Sequence, residues 1–588
     1  MRAVAPALTL AVAALAAVRA DEGPRYVDVT LDRGLEPGDA HRSVFADLDG
    51  DGWPDLVIHK HRVHRNVADP RGGRRFVRLE GGLAGPAPED RPDLLALADL
   101  DDDGHQDALV AWRLDPTAPD WKDPGRRSHV RLLRHGTTGA AVASSKVTFE
   151  LPPEPLTCAA FLDFDLDGVL DLVTAGDYVA GGLPLEATAV RLYRGLGGGR
   201  FEEVTDRAGL TLRREPGHED SRRPVYGLTT ADVDGDGWPD ILVCAYGRQR
   251  NLLYMNRGDG TFVEAGLASG FAGDEDTSGL YPEETKRWWK ERFGQPREDE
   301  RPFRANGNTF DAAVIDVDND GRLDVFLAEI THAWAGPSSD RSALLVNLGG
   351  ARGAVRFRRL PDAMPRRHEV PNWNQGDLYA GWTDADLDGW PDLLLASGDY
   401  PDEQRLRLFR QTLPLEFADV TAAAGIDVLN AAQLSLADYD RDGDEDVVTG
   451  LTNMRLPAEQ AAARTLRPVL LENRTPRAGR RSLGLRLVGR GAAEGGANRD
   501  AIGARVSVEA GGLRQTREIL GGQGHAGHQD ARPLVFGLGR AAAVDRVVIR
   551  WPSRTGTTVV EGLQPDHAYE VREPVPGAAP EVVDLGPF

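Results

Sequence analysis

Short apolar runs, each preceded by a polar, glycine-containing turn, punctuate most of the chain. Leu56-Val57-Ile58, Ile241-Leu242-Val243 and Leu393-Leu394-Leu395 are too short for helices and are bounded by turn residues, so they read as strands. A second kind of segment opens on an aromatic residue: Phe76-Val77-Arg78-Leu79, Phe149-Glu150-Leu151, Phe201-Glu202-Glu203-Val204-Thr205, Phe262-Val263, Phe357-Arg358-Arg359-Leu360 and Phe417-Ala418-Asp419-Val420-Thr421. Each reads as the last strand of a repeating unit. A seventh copy, Tyr26-Val27-Asp28-Val29-Thr30, stands ahead of the first turn, and none follows the last turn before the sequence changes character. Circular closure accounts for that offset: Tyr26 to Thr30 completes the final unit and protects the edges of the sheets. The one strong helical pattern runs from Glu283 to Phe293, inside the longest insertion, residues 274–302.

The turns carry the chemistry. Asp-x-Asp-x-Asp-Gly-x-x-Asp begins at Asp47, Asp99, Asp163, Asp232, Asp316, Asp384 and Asp438, with all four Asp positions and the Gly filled in every copy. Alternate carboxylates on a tight turn give a hard dication a cage of oxygens, the sixth-position Gly permits the turn, and the seventh residue offers a backbone carbonyl. The expected metal ligands are therefore Asp47, Asp49, Asp51, Trp53 and Asp55; Asp99, Asp101, Asp103, His105 and Asp107; Asp163, Asp165, Asp167, Val169 and Asp171; Asp232, Asp234, Asp236, Trp238 and Asp240; Asp316, Asp318, Asp320, Arg322 and Asp324; Asp384, Asp386, Asp388, Trp390 and Asp392; and Asp438, Asp440, Asp442, Asp444 and Asp446. The expected cofactor is Ca2+, up to seven ions, because a flexible all-oxygen cage suits the larger dication. EF-hands are excluded, since they need a bidentate Glu at position twelve between two helices. Asp/Gly turns are good turns without a metal, but seven clusters of four carboxylates repel strongly without a counter-ion. The fold class that follows is all-β: a seven-bladed β-propeller with calcium loops, followed by a small β-sandwich-like domain.

Composition bounds the rest. The 588 residues carry 69 basic and 92 acidic side chains, a formal net charge of −23, and are 41% hydrophobic. That is enough apolar content for packed cores and too acidic for a general phosphate-backbone binder. Arg2, the apolar stretch Ala3 to Val18 and the small residues to Ala20 read as a signal peptide cut after Ala20, which implies a secreted or periplasmic protein with no transmembrane segment in the mature chain. Cys158 and Cys244 lie in apolar runs and read as buried free thiols. The expected division is a signal peptide over 1–20, the propeller over 21–475, a β domain over 476–572 and a tail over 573–588. Strand-like segments in the β domain are Ala504 to Val508, Arg514 to Ile519, Val544 to Ile549 and Thr558 to Val560.

Other candidates are few. On a strand His59 and His61 would share a face, which with His64 makes a transition-metal site conceivable beside the plainer reading of polar residues at a turn. His41, Arg42, Tyr226, Asn306, Asn308, Asp377, Tyr379, Asn430 and Gln433 stand just upstream of the loops and could line a propeller mouth, or simply cap inner strands. His332 and Trp334 follow the fifth loop, and the 283–293 helix could cover a mouth, dock a partner or pack on the ring. Asn473-Arg474-Thr475 is a glycosylation sequon by pattern. There is no P-loop, no Gly-x-Ser-x-Gly elbow, no His-Glu-x-x-His and no Cys-x-x-Cys.

The loops with their strands resemble FG-GAP/VCBS calcium-loop propellers, also found in integrin α-subunit heads. Asp500-Ala501-Ile502-Gly503-Ala504-Arg505-Val506, Gly521-Gly522-Gln523-Gly524, Val535-Phe536-Gly537-Leu538-Gly539 and Ile549-Arg550-Trp551-Pro552 resemble the ASPIC/UnbV domain. Together they resemble the cartilage acidic protein-like family. The resemblance implies a secreted calcium-binding protein with adhesion or scaffold associations and an extracellular protein or glycan as partner. His525-Ala526-Gly527-His528 departs from the aromatic-and-serine stretch usual there. The alternative function is an exported enzyme with its site in the propeller mouth, acting on a glycan or another extracellular substrate.

Overall fold

The computed structural model describes residues 23–38, 40–80, 83, 92–112, 129–135, 141–142, 151, 155–177, 187–211, 223–299, 305–366, 374–398, 404–454, 456–554 and 556–588. The expected signal peptide and Phe149-Glu150 lie outside them.

The chain is all-β. Six antiparallel four-stranded sheets follow one another: Ser43–Ala46, Asp55–Ile58, Arg62–Ala68, Arg74–Arg78; Leu94–Ala98, Asp107–Trp112, His129–His135, Ala141–Val142; Leu156–Leu162, Asp171–Gly176, Arg191–Gly195, Phe201–Glu203; Val225–Ala231, Asp240–Ala245, Leu252–Asn256, Phe262–Glu264; Thr309–Ile315, Asp324–Thr331, Ala343–Asn347, Phe357–Leu360; and Gln375–Thr383, Asp392–Ser397, Leu406–Leu413, Glu416–Asp419. In the seventh, Ala431–Ala437, Asp446–Leu451 and Val469–Asn473 are completed by Tyr26–Asp28, with Tyr26 opposite Asn473 and Asp28 opposite Leu471. The fifth and sixth sheets also join through Ile330–Gly376 and Thr331–Gln375 pairs.

Each Asp-rich turn connects the first two strands of its sheet. Its ninth-position Asp opens the second strand and lies opposite the last residue of the first, as in Ala46–Asp55, Leu162–Asp171 and Ala437–Asp446. The short first and second strands are buried on both faces, which explains their continuous apolar runs. Apolar cores form between successive sheets: Val173 and Leu192 meet Leu228 and Val243, and Phe45 and Leu56 of the first sheet meet Tyr439 and Leu470 of the seventh.

After residue 476 two four-stranded sheets face each other. One has the order Leu534–Gly539, Arg481–Val488, His567–Arg572, Glu581–Pro587, and the other Leu513–Glu518, Arg505–Ala510, Arg546–Arg550, Thr557–Val560. Leu485, Phe536 and Val571 pack against Val508, Val547 and Ile549 between them. Residues 581–587, inside the segment set apart as a tail, form the outer strand beside His567–Arg572. Among the described residues no helix is long and apolar enough to cross a membrane.

The link between Leu513–Glu518 and Leu534–Gly539 leaves the sandwich and passes among the first strands of the other sheets. Gly521 O accepts from Phe161 N at 3.1 Å, Gly524 O from Leu228 N at 3.1 Å and Ala526 O from Leu95 N at 3.4 Å, while Ala531 N donates to Leu436 O at 2.9 Å. Two contacts use carbonyls at bulged positions. Pairing skips Thr157 and Tyr226 in the third and fourth sheets, and Ala526 N meets Thr157 O at 2.8 Å while His525 Nδ1 meets Tyr226 O at 2.8 Å. A bulge frees backbone groups that must find partners when buried; here the inserted segment supplies them.

Candidate metal centres and the inserted segment

The seven Asp-rich loops share one hydrogen-bond scheme. The first Asp accepts from the sixth-position Gly N–H, as in Gly52 to Asp47 at 2.9 Å, Gly168 to Asp163 at 2.8 Å and Gly443 to Asp438 at 3.0 Å. The fifth-position Asp accepts from the seventh-position N–H, as in Trp53 to Asp51, Val169 to Asp167 and Trp390 to Asp388 at 2.9, 2.9 and 3.1 Å. The glycine is required: φ is positive at all seven, between 85° at Gly52 and 102° at Gly237.

The ninth Asp ties the loop to its sheet. Asp171 accepts from Phe164 N with one oxygen at 2.8 Å and from Gly195 N, on the third strand, with the other at 2.7 Å. Asp240, Asp324 and Asp392 repeat both bonds.

Carboxylate oxygens from the first three ligand positions, or from the first, third and ninth, converge within 4.8 Å of one another at Asp47/Asp49/Asp51, Asp99/Asp101/Asp103, Asp163/Asp165/Asp171, Asp232/Asp234/Asp240 and Asp316/Asp318/Asp320. Several buried oxygens in these loops have no hydrogen-bond partner: Oδ1 of Asp47, Asp165, Asp232, Asp318, Asp386, Asp440 and Asp444, and Oδ2 of Asp446. Lone carboxylate oxygens turned toward one another out of water fit a hard cation. The protonation equilibria carry the same strain. Burial, with the charges of Asp47 and Asp51 beyond the opposing N–H of Asn66, pushes Asp55 up to about 8; burial also pushes Asp324 up to about 8 and Asp316 up to about 7. Asp444, expected to act through its backbone, is different. Its side chain is buried as a fifth carboxylate of the seventh loop.

Sequence reasoning missed the arginines that serve the loops. Arg65 pairs with Asp49 and lies 3.0 Å from Asp55, Arg194 reaches Asp165 and Asp167 at 2.8 and 2.7 Å, and Arg410 pairs with Asp386. From the sandwich, Arg486 lies 3.4 Å from Asp47, Arg550 pairs with Asp232, and Asp500 accepts from Asp99 N at 2.7 Å. The sandwich therefore sits on the loop side of the sheets.

The mouth candidates are engaged within the fold. Tyr226 donates to Asp177 at 3.0 Å and stacks on His525, ring centroids 5.2 Å apart. Arg42 lies 3.2 Å from His525 Nε2, and Tyr379 faces His528 edge-on. Asn308 accepts from Gly247 and Arg248 N–H and donates to Ile330 O. Asp377 takes hydrogen bonds from Ser342, Gln375, Arg366 and Ser397, and Asn430 accepts from Arg464 at 2.7 Å. Asn306 and Gln433 are buried, and burial first pushes the His41 imidazole down to about 3.

The histidine group is corrected in one respect. His59 and His61 are in the turn between strands, with φ of 54° at His59, and do not share a strand face. His61 Nδ1 lies 2.8 Å from His59 O, and burial lowers His64, on the next strand, to about 4. His332 stacks on Trp334 at 5.3 Å. The helix spans Glu283–Phe293 as its pattern predicts; only Thr285 is buried, and Trp288 and Phe293 are each 53% exposed. Arg297 lies over both Trp289 and Tyr281. Cys158 and Cys244 are free and buried, and burial pushes the Cys158 thiol up to about 12.

The FG-GAP-like repeat family matches residues 163–243, 232–283 and 384–449, and the ASPIC and UnbV family matches residues 494–577. No curated protein matches the chain. Solved structures with similarity include the exotype rhamnogalacturonan lyase YesX, 15% identical with a TM-score of 0.35 over 76% of this chain and 75% of that one. A Bacillus licheniformis rhamnogalacturonan lyase, PL11, is 14% identical with a TM-score of 0.35 over 76% and 75%. The V. cholerae biofilm matrix protein Bap1 is 13% identical with a TM-score of 0.29 over 74% and 77%. Likeness at those scores carries no argument about activity.

Proposed function

We propose that this FG-GAP repeat protein with a C-terminal ASPIC/UnbV domain is a secreted, calcium-stabilised binding or adhesion scaffold. Its seven sheets form a closed seven-bladed propeller over 21–475, and the 476–572 domain seals the channel with its inserted segment. The observation that carries this reading is the set of buried, partnerless carboxylate oxygens repeated from loop to loop. Up to seven calcium ions, held by the Asp positions and the seventh-residue carbonyls named above, would neutralise them and fix each turn between the first two strands. Affinity in the range of extracellular modules, about 10⁻⁴ to 10⁻³ M, suits permanent occupancy outside the cell. The partner is an extracellular protein or glycan, met by the outer surface. An enzyme working in the mouth would need free polar groups there, whereas Tyr226, Asn308 and Asp377 are spent on the fold.

Elemental analysis of the purified protein, paired with thermal melts with and without chelator, tests the reading. About seven calcium ions and a chelator-dependent fall in melting temperature are expected. Absence of calcium at saturating supply, or an unchanged melt, overturns it.

A further inference from the structure

The loops have the same ligands but not the same neighbours. In six sheets the ninth Asp accepts from one third-strand N–H: Asn66, Gly195, Asn256, Asn347, Gln411 and Asn473, at 2.6 to 2.8 Å. The residue just before that N–H lies at the register position opposite the ninth Asp, and its identity divides the seven sheets. It is Arg65, Arg194 and Arg410 in the first, third and sixth sheets, but Met255, Val346 and Glu472 in the fourth, fifth and seventh. In the second sheet Ala108 lies opposite Leu133, which puts Arg134 at the same register position.

The three arginines reach carboxylates at the third and fifth loop positions, which a cation would otherwise draw together. Arg194 spans Asp165 and Asp167, Arg65 pairs with Asp49 and lies 3.8 Å from Asp51, and Arg410 pairs with Asp386 and lies 3.5 Å from Asp388. Arg410 is 6% exposed and Arg480 stands 3.6 Å from the same Asp386. On the remaining loops Arg352, 68% exposed, touches Asp236 and Arg322, 45% exposed, touches Asp320, while Arg550 and Arg505 of the sandwich also reach Asp232, the first ligand of the fourth loop. In the seventh loop Asp440 Oδ1, Asp444 Oδ1 and Asp446 Oδ2 have no partner, and Asp444 and Asp446 are 4% and 1% exposed. Glu472, an anion at this position, is held by Arg33 and Arg474 at 2.7 and 2.8 Å, and Arg477 reaches the Asp442 carbonyl rather than a ligand carboxylate. That sheet is also the one closed by Tyr26–Asp28.

We propose that the third-strand arginine lowers the calcium affinity of its loop, so that the first, third and sixth loops exchange calcium readily and the fifth and seventh keep it. A guanidinium already between the ligands both repels a dication and supplies part of its charge balance, and site charge is what tunes oxygen-cage affinity. The consequence is a ring that loses calcium in stages, with the strand-closing seventh loop among the last to empty. The inference rests on the calcium reading above.

Equilibrium dialysis of the full chain at graded free calcium, with bound calcium counted by elemental analysis, is the test. Wild type is expected to release its ions in two steps, and Arg410→Met to move one ion from the weaker to the tighter step, about tenfold in free calcium. Val346→Arg should move one the other way; if that variant fails to fold, Arg410→Met and Arg194→Met still decide. A single release step in wild type, or an unchanged profile in both arginine variants, overturns the inference while leaving the calcium reading intact. No bound calcium at saturation overturns both.

Discussion

His528 Nδ1 lies 3.1 Å from Asp311 Oδ2, with both side chains wholly enclosed, one on the inserted segment and the other on the first strand of the fifth sheet. Asp530 stands 3.9 Å from the other ring nitrogen, Gln523 donates to Asp311 at 3.3 Å, and the Tyr379 ring lies edge-on. The pair joins the sandwich to the fifth sheet at a point where neither side chain reaches water.

Burial drives the His528 pKa down, but its hydrogen bond to Asp311 and the charges of Asp311 and Asp530 carry it above the usual value. A base whose pKa is raised by folding contributes stability that is complete below its unfolded value, about 6.5, and is lost as pH rises through the folded value. The stability difference between wild type and His528→Gln should therefore be largest at about pH 6 and shrink toward pH 9. Removing one member of a buried pair costs about 3 kcal/mol. Denaturant melts of both proteins across that range measure it; a difference that is constant, or grows with pH, contradicts the assignment.

Gly527 makes a second demand on the inserted segment. Its φ is 72°, and a Cβ there would run into the Leu95 carbonyl oxygen. Backbone cannot yield as a flexible side chain would, so Gly527→Val should cost about 1–3 kcal/mol or more. The expected result is withdrawal of the segment, seen as new proteolytic cleavage between residues 519 and 532 with the sandwich itself intact. Protection equal to wild type would show that the segment's fit among the first strands is looser than its geometry requires.

What could be read from the chain alone depended on distance along it. The loops are legible because ligand, turn and following strand lie within a few residues, and Tyr26 to Thr30 because an aromatic strand was missing at the other end. The third-strand arginines gave no such signal: Arg65 and Arg194 sit beyond a turn of variable length, and only the register with the ninth Asp aligns them. The inserted segment shows in the sequence only as an odd His525-Ala526-Gly527-His528 turn, because its partners Asp311, Leu95 and Thr157 lie hundreds of residues away. The misplacement of His59 and His61 has a local cause, since positive φ at His59 and Lys60 ends the strand just where an alternating pattern would extend it.

Removing Tyr26–Asp28 should be more damaging than its three residues suggest. The strand pairs with Leu471–Asn473, and Arg33, just after it, holds Glu472. Without it the Val469–Asn473 strand becomes an exposed edge of apolar character, the situation that natural sheets avoid. A chain beginning at residue 31 should melt lower and associate, as light scattering on heating would report. An unaltered, monomeric melt would mean that the seventh sheet is sufficient with three strands.

The sequon at Asn473 should stay unmodified even where the cell glycosylates exported chains. Asn473 is 1% exposed, its amide donates to Ala385 O at 3.0 Å, and its oxygen accepts from Thr475 N and Oγ1 at 3.1 and 2.6 Å. A glycan on the Asn473 amide nitrogen would displace it from the Ala385 carbonyl and push a strand end out from between two sheets. The amide is reachable only before the seventh sheet forms, so modification competes with folding. Intact-mass measurement after expression in a glycosylating host is expected to give the unmodified chain. A glycan at Asn473 on folded protein would mean that this strand end is not packed between the sixth and seventh sheets.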